Sequence, residues 1–219
     1  MDDAKLWFFY GAMGSSKTAN ALMVRFNDQE RGMKAILLKP KKESRDGKNI
    51  VKSRIGLLAD CVYVEDFLLE LSKGIIPSCD AVIIDEAQFL SREQVDQISD
   101  LVDVHNIPVL CYGLRTDFQG NAFPGSARLL ELADEIIESS TVCWCGRKAR
   151  FNARVRDGVI VREGEQVQLG GNESYTSLCR KHFKEGRLHK WKNSPVGNFS
   201  AGFFYNTTDL VCFYDLLFN

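Results

Sequence analysis

Residues 11–18 have the residue types and spacing of a site for nucleotide phosphates. They read Gly-Ala-Met-Gly-Ser-Ser-Lys-Thr and fit the phosphate-loop pattern G-x-x-x-x-G-K-[ST], except that Ser16 replaces the second glycine. In such loops backbone N–H groups and the lysine hold phosphates, and the final hydroxyl binds Mg²⁺. A β-carbon at Ser16 costs about 1 kcal/mol if φ is positive. The alternative is a Gly- and Ser-rich turn without function. We predict an ATP and Mg²⁺ site made of Gly11, Ala12, Met13, Gly14, Ser15, Ser16, Lys17 and Thr18.

Two acidic residues, Asp85 and Glu86, come directly after the apolar run 81–84, about 70 residues beyond the loop. An acidic pair at the end of a buried strand is the second element of phosphate-loop proteins. We predict that Asp85 holds Mg²⁺, directly or through water. We predict that Glu86 accepts a proton from the nucleophile that attacks the γ-phosphate. The alternative is a solvated strand end.

Cysteine and histidine residues, which commonly bind metal ions, form two close pairs, Cys143-x-Cys145 and Cys179-x-x-His182, with 33 residues between them. Such pairs give a tetrahedral Cys₃His zinc site, in which the protein supplies every ligand and leaves no position for water. We therefore predict a structural zinc. The alternative is unrelated thiols and a surface histidine. The odd total of seven cysteines argues against a disulfide framework.

Four aromatic residues, Phe89, Phe118, Phe123 and Tyr175, lie near these motifs in the sequence. Taken singly, each is expected in a core. Phe118 and Phe123 belong to a polar, glycine-containing loop after the strand predicted at 107–114, where they could form a wall for stacking a base.

Strands and helices alternate along the first 140 residues. Apolar runs predict strands at 5–10, 34–39, 61–64, 81–84, 107–114 and 135–140. Helices are predicted at 18–31, 65–73 and 126–133, with another that begins at Ser91 and has Gln94 in the capping-box position. Residues 40–56 are polar and predict a loop. This alternation predicts an α/β fold: a phosphate-loop (RecA-like) parallel sheet flanked by helices, with ligands at the carboxyl ends of the strands.

The sequence changes character after Thr141. Short strands, Gly-containing turns and the metal-type residues follow. We predict an ATP-binding domain at 1–140, a small zinc-binding domain at 141–190 and a C-terminal tail at 191–219.

The bulk composition is that of a soluble globular protein. The chain of 219 residues has a net charge of −1 and 45% hydrophobic residues, so we expect no nucleic-acid partner. No apolar run approaches the roughly 20 residues that a membrane span requires. The start, Met-Asp-Asp, lacks the basic region of a signal peptide. We expect a cytoplasmic protein.

Several motifs, taken together and in this order, resemble the type II thymidine kinases, a cytosolic family of bacteria, animals and large DNA viruses. The resemblance covers about residues 5–182 and is of the bacterial kind. Its motifs are the phosphate loop, Asp-Glu-Ala-Gln-Phe at 85–89, Tyr-Gly-Leu-Arg-Thr-Asp-Phe-Gln-Gly-Asn-Ala-Phe-Pro-Gly at 112–125, Cys-x-Cys-Gly-Arg-Lys-Ala at 143–149, Gly-Gly-Asn-Glu-Ser-Tyr at 170–175 and Cys-Arg-Lys-His at 179–182.

The resemblance implies transfer of the γ-phosphate of ATP to the 5′-hydroxyl of thymidine, with Glu86 as general base and Asp85 as the magnesium-associated acid. Gln88 and Arg45 are implied on the ATP side, Arg45 from a flexible loop. A homotetramer and feedback inhibition by dTTP are also implied. The residues implied around thymidine are Met13, Phe89, Leu114, Phe118 and Phe123, together with a lid, the lasso of the family, that contains Gln166, Val167, Gln168, Leu169, Gly170 and Tyr175.

Two positions depart from the family pattern. Ser16 replaces the usual glycine, and Ser44 stands where many members have an acidic residue beside the loop arginine. Because of Ser16, a catalytically silent nucleotide-binding protein is one alternative function. A DNA-coupled ATPase of the recombinase type is another, but the charge balance offers no basic surface for it.

Overall fold

The structure, a computed structural model, describes residues 3–43, 47–166 and 174–188. Its main feature is a six-stranded sheet with helices on both faces. The elements are β1 (Leu6–Tyr10), α1 (Lys17–Glu30), β2 (Ala35–Lys39), β3 (Ile50–Lys52), β4 (Leu58–Asp60), β5 (Val62–Tyr63), α2 (Val64–Ser72), β6 (Ala81–Ile84), a 3₁₀ helix (Ala87–Phe89), α3 (Arg92–Asp103), β7 (Val109–Gly113), α4 (Pro124–Leu132), β8 (Glu135–Glu138), β9 (Phe151–Arg156), β10 (Val159–Val161), β11 (Ser174–Leu178) and α5 (Arg180–Glu185).

The six strands of the large sheet are parallel and run in the order β5–β2–β6–β7–β1–β8. Strand β7 lies between β1 and β6, since Phe8 and Ile84 both pair with Cys111. All carboxyl ends therefore meet at one edge of the sheet. The phosphate loop follows β1 and the acidic pair follows β6, so this edge carries the candidate site, as predicted for a parallel sheet.

Each face of the large sheet has its own apolar core. Side chains alternate between the faces along every strand, so Phe8 packs with residues of α2, α3 and α4 while Phe9 packs on the other face with residues of α1. Both rings are almost fully buried. Strands buried on both sides are typical of parallel sheets, and the α/β fold predicted from the sequence is confirmed.

The N-terminus of α3 has the predicted capping box. Ser91 Oγ accepts a hydrogen bond of 3.1 Å from the backbone N–H of Gln94, and Gln94 Oε1 accepts one of 2.9 Å from the N–H of Ser91. The pair satisfies two backbone donors that a helix start leaves unpaired. No helix among the described residues is long and apolar enough to span a membrane.

The prediction of a loop over residues 40–56 is wrong in part. Residues 50–52 form β3, which pairs antiparallel with β4. Its anchor is the buried Lys39, whose Nζ donates to the carbonyls of Gly47 at 2.8 Å and Ile50 at 2.7 Å. On β3 only the side chain of Val51 is buried. The segment therefore lacks the alternation of apolar and polar residues that predicts a strand from sequence.

A small antiparallel sheet, β10–β9–β11, follows the large one in the chain. With α5 it encloses a separate apolar cluster that contains Ala153, Leu178 and Phe183. The described residues up to Leu188 form one compact unit. The predicted domain division at residue 140 stays a prediction, and the predicted tail, 191–219, lies outside the described residues.

Candidate active site

The phosphate loop turns tightly between β1 and α1. A β-carbon on Gly11 would lie 2.3 Å from the carbonyl oxygen of Ser139, so only glycine fits there. Gly14 has φ 78° and Ser16 has φ 59°, both in the left-handed region. Successive N–H groups in such a loop can turn to one side and form a nest for an anion. Ser16 thus adopts a conformation that usually requires glycine.

Lys17, the first residue of α1, folds its side chain back over the loop. Its Nζ donates to the carbonyls of Gly11 at 3.1 Å and Ala12 at 3.0 Å, and to Ser15 Oγ at 3.0 Å. Burial lowers the pKa of Lys17 to about 8, although the nearby carboxylates of Glu86 and Asp85 oppose the shift. The loop therefore carries a positive charge that is poised to meet phosphate.

Asp85 is buried at the carboxyl end of β6, with 5% of its surface exposed. Burial, and next the charge of Glu86, raise the pKa of Asp85 to about 7, while a hydrogen bond with the Thr18 side chain and the charge of Lys17 oppose the rise. The predicted Mg²⁺ residues Asp85 and Thr18 are thus brought together. A buried carboxylate beside a hydroxyl suits a hard cation that prefers oxygen ligands.

Glu86 lies at the start of the 3₁₀ helix with φ 53°. The side-chain amide of Gln88 donates to Glu86 Oε2, and Gln88 Oε1 accepts from the backbone N–H of Leu114 at 3.0 Å. Gln88 is 1% exposed, so it links the end of β6 to the end of β7 from inside the protein. Its amide contacts Glu86, and the assignment of Gln88 to the ATP side stays a prediction.

Three of the four predicted aromatic residues, Phe89, Phe118 and Phe123, lie in the segments that follow β6 and β7, and Tyr175 lies on β11. The rings of Phe89 and Phe123 meet edge to face, with centroids 5.8 Å apart. Phe118 is 1% exposed, and the Arg154 guanidinium lies over its ring at 3.7 Å. The Arg154 guanidinium therefore covers one face of the Phe118 ring. Arg154 was not among the residues predicted from the sequence.

Arg154 joins several parts of the predicted thymidine side. Its Nε donates to the Tyr175 hydroxyl at 2.9 Å, and its Nη2 donates to the carbonyls of Glu165 at 3.0 Å and Gln166 at 3.4 Å. The Gln166 amide in turn donates to Asp117 Oδ2 at 3.0 Å. Of the predicted lid, only these two residues, Gln166 and Tyr175, are described. Val167, Gln168, Leu169 and Gly170 lie outside the described residues, as does Arg45.

Met13 connects the phosphate loop to the small sheet. Its N–H donates to Asn152 Oδ1 at 2.7 Å, and its carbonyl accepts from Ser177 Oγ at 2.5 Å. Sequence analysis missed both partners. They lie 139 and 164 residues from Met13 in the chain, and neither belongs to a recognisable motif.

The four predicted metal ligands converge on one point. The ligand atoms of Cys143, Cys145, Cys179 and His182 all lie within 4.8 Å of one another. Cys143 Sγ is 3.4 Å from His182 Nδ1, and Cys145 Sγ is 3.9 Å from Cys179 Sγ. Hydrogen bonding from the backbone of His182 lowers the pKa of Cys179, which favours the thiolate that binds metal. These residues fit a tetrahedral metal ion without any further ligand.

Fold and site define the class of this protein. The loop and its lysine follow β1 and the acidic pair follows β6, on either side of β7 at one edge of a parallel sheet, which is the arrangement of phosphate-loop nucleotide-binding proteins.

Comparison with known proteins narrows the class. Residues 4–183 match the family described as thymidine kinase, and the chain belongs to that family. It is 48% identical over 187 residues to the thymidine kinase of Novosphingobium aromaticivorans, covering 83% of this chain and 97% of that one. The Shewanella oneidensis enzyme is 48% identical over 189 residues, with coverages of 83% and 97%. The Rhodopirellula baltica enzyme is 49% identical over 187 residues, with coverages of 83% and 89%.

A solved structure of a DNA replication initiation factor is similar with a TM-score of 0.37 and 17% sequence identity, covering 62% of this chain and 40% of that chain. That likeness is too low to bear on the function.

Proposed function

We propose that the protein is an ATP:thymidine 5′-phosphotransferase, which moves the γ-phosphoryl group of ATP to the 5′-hydroxyl of thymidine. The observation that carries this proposal is the buried Asp85 and the half-buried Glu86 beside Lys17, at the sheet edge of a thymidine kinase family member. Each of these groups has a separate task in phosphoryl transfer, whose loose transition state is stabilised mainly by positioning and charge.

On the ATP side, Lys17 and the N–H groups of the loop would hold the phosphates, and Asp85 with Thr18 would hold Mg²⁺. A bound Mg²⁺ neutralises charge on the phosphate oxygens. Glu86 would accept the proton of the thymidine 5′-hydroxyl as the bond to phosphorus forms. The amide of Gln88 orients the carboxylate of Glu86 for this step. Arg45 would reach the phosphates from its loop.

On the thymidine side, the thymine ring would lie among the side chains of Met13, Leu114 and the three phenylalanines 89, 118 and 123. Two of these rings, Phe89 and Phe123, already pack together. The segment 166–170 and Tyr175 would close over the nucleoside and exclude water, which protects ATP from hydrolysis. Arg154 supports this part because it contacts Phe118, Tyr175 and the start of the segment.

The Cys₃His cluster would hold one structural Zn²⁺. Cys143 and Cys145 precede the small sheet, and Cys179 directly follows the last residue of β11. A metal ion bound by both pairs would tie the two ends of the small sheet together. Because all ligands come from protein, the ion would have no role at the reacting phosphate.

The family likeness also supports a cytoplasmic homotetramer that is inhibited by dTTP. Size measurement by light scattering would test the tetramer, and titration of the activity with dTTP would test the inhibition.

A phosphotransfer assay with a panel of nucleosides tests the proposed function. We expect transfer from ATP to thymidine and none to purine nucleosides. Replacing the proposed base, Glu86→Gln, should lower kcat by roughly a hundredfold or more, while the melting temperature stays near that of the wild type. Robust transfer by folded Glu86→Gln would exclude Glu86 as the base.

One alternative function has a structural observation in its favour. Ser16 holds a left-handed backbone conformation where glycine is usual, and this could impair turnover more than binding. A catalytically silent nucleotide-binding protein would bind ATP tightly and transfer phosphate to no nucleoside of the panel. That result would replace the kinase proposal.

A further inference from the structure

Two cross-strand pairs share one face of the small sheet. In the antiparallel register of β9 and β11, Arg154 lies opposite Tyr175 and Asn152 lies opposite Ser177. The pairs are two residues apart on both strands, so all four side chains point to the same side. Ala153, between them on β9, packs into the opposite core. One face of the small sheet therefore carries both pairs.

The first pair belongs to the nucleoside side of the site. Arg154 lies over the ring of Phe118 and hydrogen-bonds the Tyr175 hydroxyl and the carbonyls of Glu165 and Gln166. With 1% of its surface exposed, Arg154 has little freedom to move without its partners. Its position thus depends on the arrangement of the residues that are proposed to enclose thymidine.

The second pair holds the phosphate loop. Asn152 Oδ1 accepts from the N–H of Met13 at 2.7 Å, and Ser177 Oγ donates to the carbonyl of the same residue at 2.5 Å. These two hydrogen bonds satisfy the backbone N–H and the carbonyl of Met13, which lies in the middle of the phosphate loop. Asn152 is 4% exposed, so water cannot readily replace its oxygen. The peptide planes on both sides of Met13 are therefore set by the small sheet.

We propose that Asn152 and Ser177 are positioning residues that couple the nucleoside side of the site to the phosphate loop. When thymidine orders the residues around Arg154 and Tyr175, the same sheet face holds Met13 and presents the loop to ATP. Binding of each substrate then favours binding of the other by an equal factor, as thermodynamic linkage requires. The inference rests on the proposed function, because it assumes that Arg154 and Tyr175 border the nucleoside.

The test measures ATP binding with and without the nucleoside. The probe is Mg·ATP, titrated calorimetrically in the absence and in the presence of saturating 5′-deoxythymidine, which lacks the reacting hydroxyl. For the wild type we expect the nucleoside to lower the Kd of ATP by roughly fivefold or more. Ser177→Ala and Asn152→Leu should bring this ratio towards one, because each removes a hydrogen bond to Met13.

Two variants separate coupling from a general structural effect. Ser177→Thr keeps the hydroxyl on a residue that suits a strand, and it should retain the wild-type ratio. Thr176→Val removes the neighbouring hydroxyl of β11, whose side chain points to the other face, and it should also leave the ratio unchanged. Zinc content and melting temperature, measured for every variant, show whether the small sheet stays folded. Ser177→Ala is the mildest change and decides the outcome if Asn152→Leu does not fold.

The inference would be overturned if the nucleoside leaves the Kd of ATP unchanged in the wild type. It would also be overturned if folded Ser177→Ala shows the same decrease in Kd as the wild type. Failure of the proposed function looks different, since the wild type would then transfer no phosphate to thymidine in the turnover assay. A wild type that is active and uncoupled would contradict only the positioning role of Asn152 and Ser177.

Discussion

At the scale of single residues, backbone strain in the phosphate loop is concentrated at Ser16. This residue caps α1 with φ 59° and ψ 17°, whereas Gly14 reaches φ 78° without a β-carbon. Ser15, between them, has no positive φ. The alternation keeps the shape of an anion nest, so the loop retains its geometry despite the missing glycine. The strain at Ser16 raises the energy of the folded state.

Replacing Ser16 with glycine should therefore stabilise the protein. We expect Ser16→Gly to raise the free energy of unfolding by about 1 kcal/mol, because glycine adopts a left-handed conformation without steric conflict. Urea unfolding followed by circular dichroism measures this change. Ser15→Gly is the matched control, and it should destabilise, since it removes the Oγ that accepts from Lys17 and gains nothing in the backbone. Equal losses in both variants would contradict the strain at Ser16.

The two perturbed groups of the site predict how nucleotide affinity depends on pH. In its proposed role Asp85 must lose its proton to hold Mg²⁺, and burial raises its pKa to about 7. Lys17 must keep its proton to hold phosphate, and its pKa is about 8. Affinity for Mg·ATP should thus rise as the pH increases through about 7 and fall as it passes about 8.

Equilibrium titrations with Mg·ATP at several pH values between 6 and 9 measure this optimum. Asp85→Asn should abolish the rise on the acidic side and keep the alkaline fall, moved to lower pH, because the charge of Asp85 no longer raises the pKa of Lys17. An acidic rise that survives in Asp85→Asn would assign it to another group.

At the scale of elements, the large sheet could be predicted because its signals are local. Strand β6 is a continuous apolar run, and α3 begins with a capping box whose two members are three residues apart. The four metal ligands were also recognisable, since each pair is close in sequence. The spacing of metal ligands and the pattern of a strand both involve residues that are close in the sequence, so both can be recognised without the structure.

The contacts of the small sheet could not be predicted in the same way. Asn152 and Arg154 are polar residues that are buried, and their partners come from the phosphate loop, β11 and the residues after β10. Nothing in their local sequence distinguishes them from surface residues of a strand. Burial of such groups is stable only when distant parts of the chain supply hydrogen bonds, so it becomes visible only in the fold.

Close packing between α4 and the 3₁₀ helix gives a prediction at the scale of elements. A β-carbon on Gly125 would lie 2.6 Å from the carbonyl oxygen of Leu90 and 2.8 Å from that of Ala87. Gly125→Ala should therefore push the two elements apart, with a loss of about 1–3 kcal/mol in the free energy of unfolding. The KM for thymidine should rise as well, because Phe89 ends the 3₁₀ helix and Phe123 directly precedes α4.

The control for this packing effect is Gly74→Ala. Gly74 has φ 79° and no atom within 4 Å of the added carbon. The variant should lose about 1 kcal/mol through backbone strain alone and keep the wild-type KM for thymidine. If both alanine variants change stability and leave KM untouched, the contact between α4 and the 3₁₀ helix does not shape the thymidine side.

At the scale of the whole molecule, the metal cluster and both halves of the site depend on one strand. Along β11 and the residue that follows, Tyr175 contacts Arg154, Ser177 contacts Met13, and Cys179 contributes to the metal cluster. Under the proposed function, the position of this strand should therefore affect the binding of both thymidine and ATP. A metal ion remote from the reacting atoms can support activity through it.

Removing the metal should consequently weaken both substrates together. We expect about one zinc per chain by elemental analysis, and its extraction with a zinc-selective chelator, at constant free Mg²⁺, should lower the melting temperature and raise KM for ATP and thymidine. Trp144 provides an optical reading, because its indole stacks on His182 with centroids 4.2 Å apart. Its fluorescence should change on extraction, and Trp144→Phe should remove that change. Readdition of zinc should restore activity. Full activity of the zinc-free protein would show that β11 keeps its position without the metal. A rise in the KM for thymidine alone would contradict the shared dependence of both substrates on this strand.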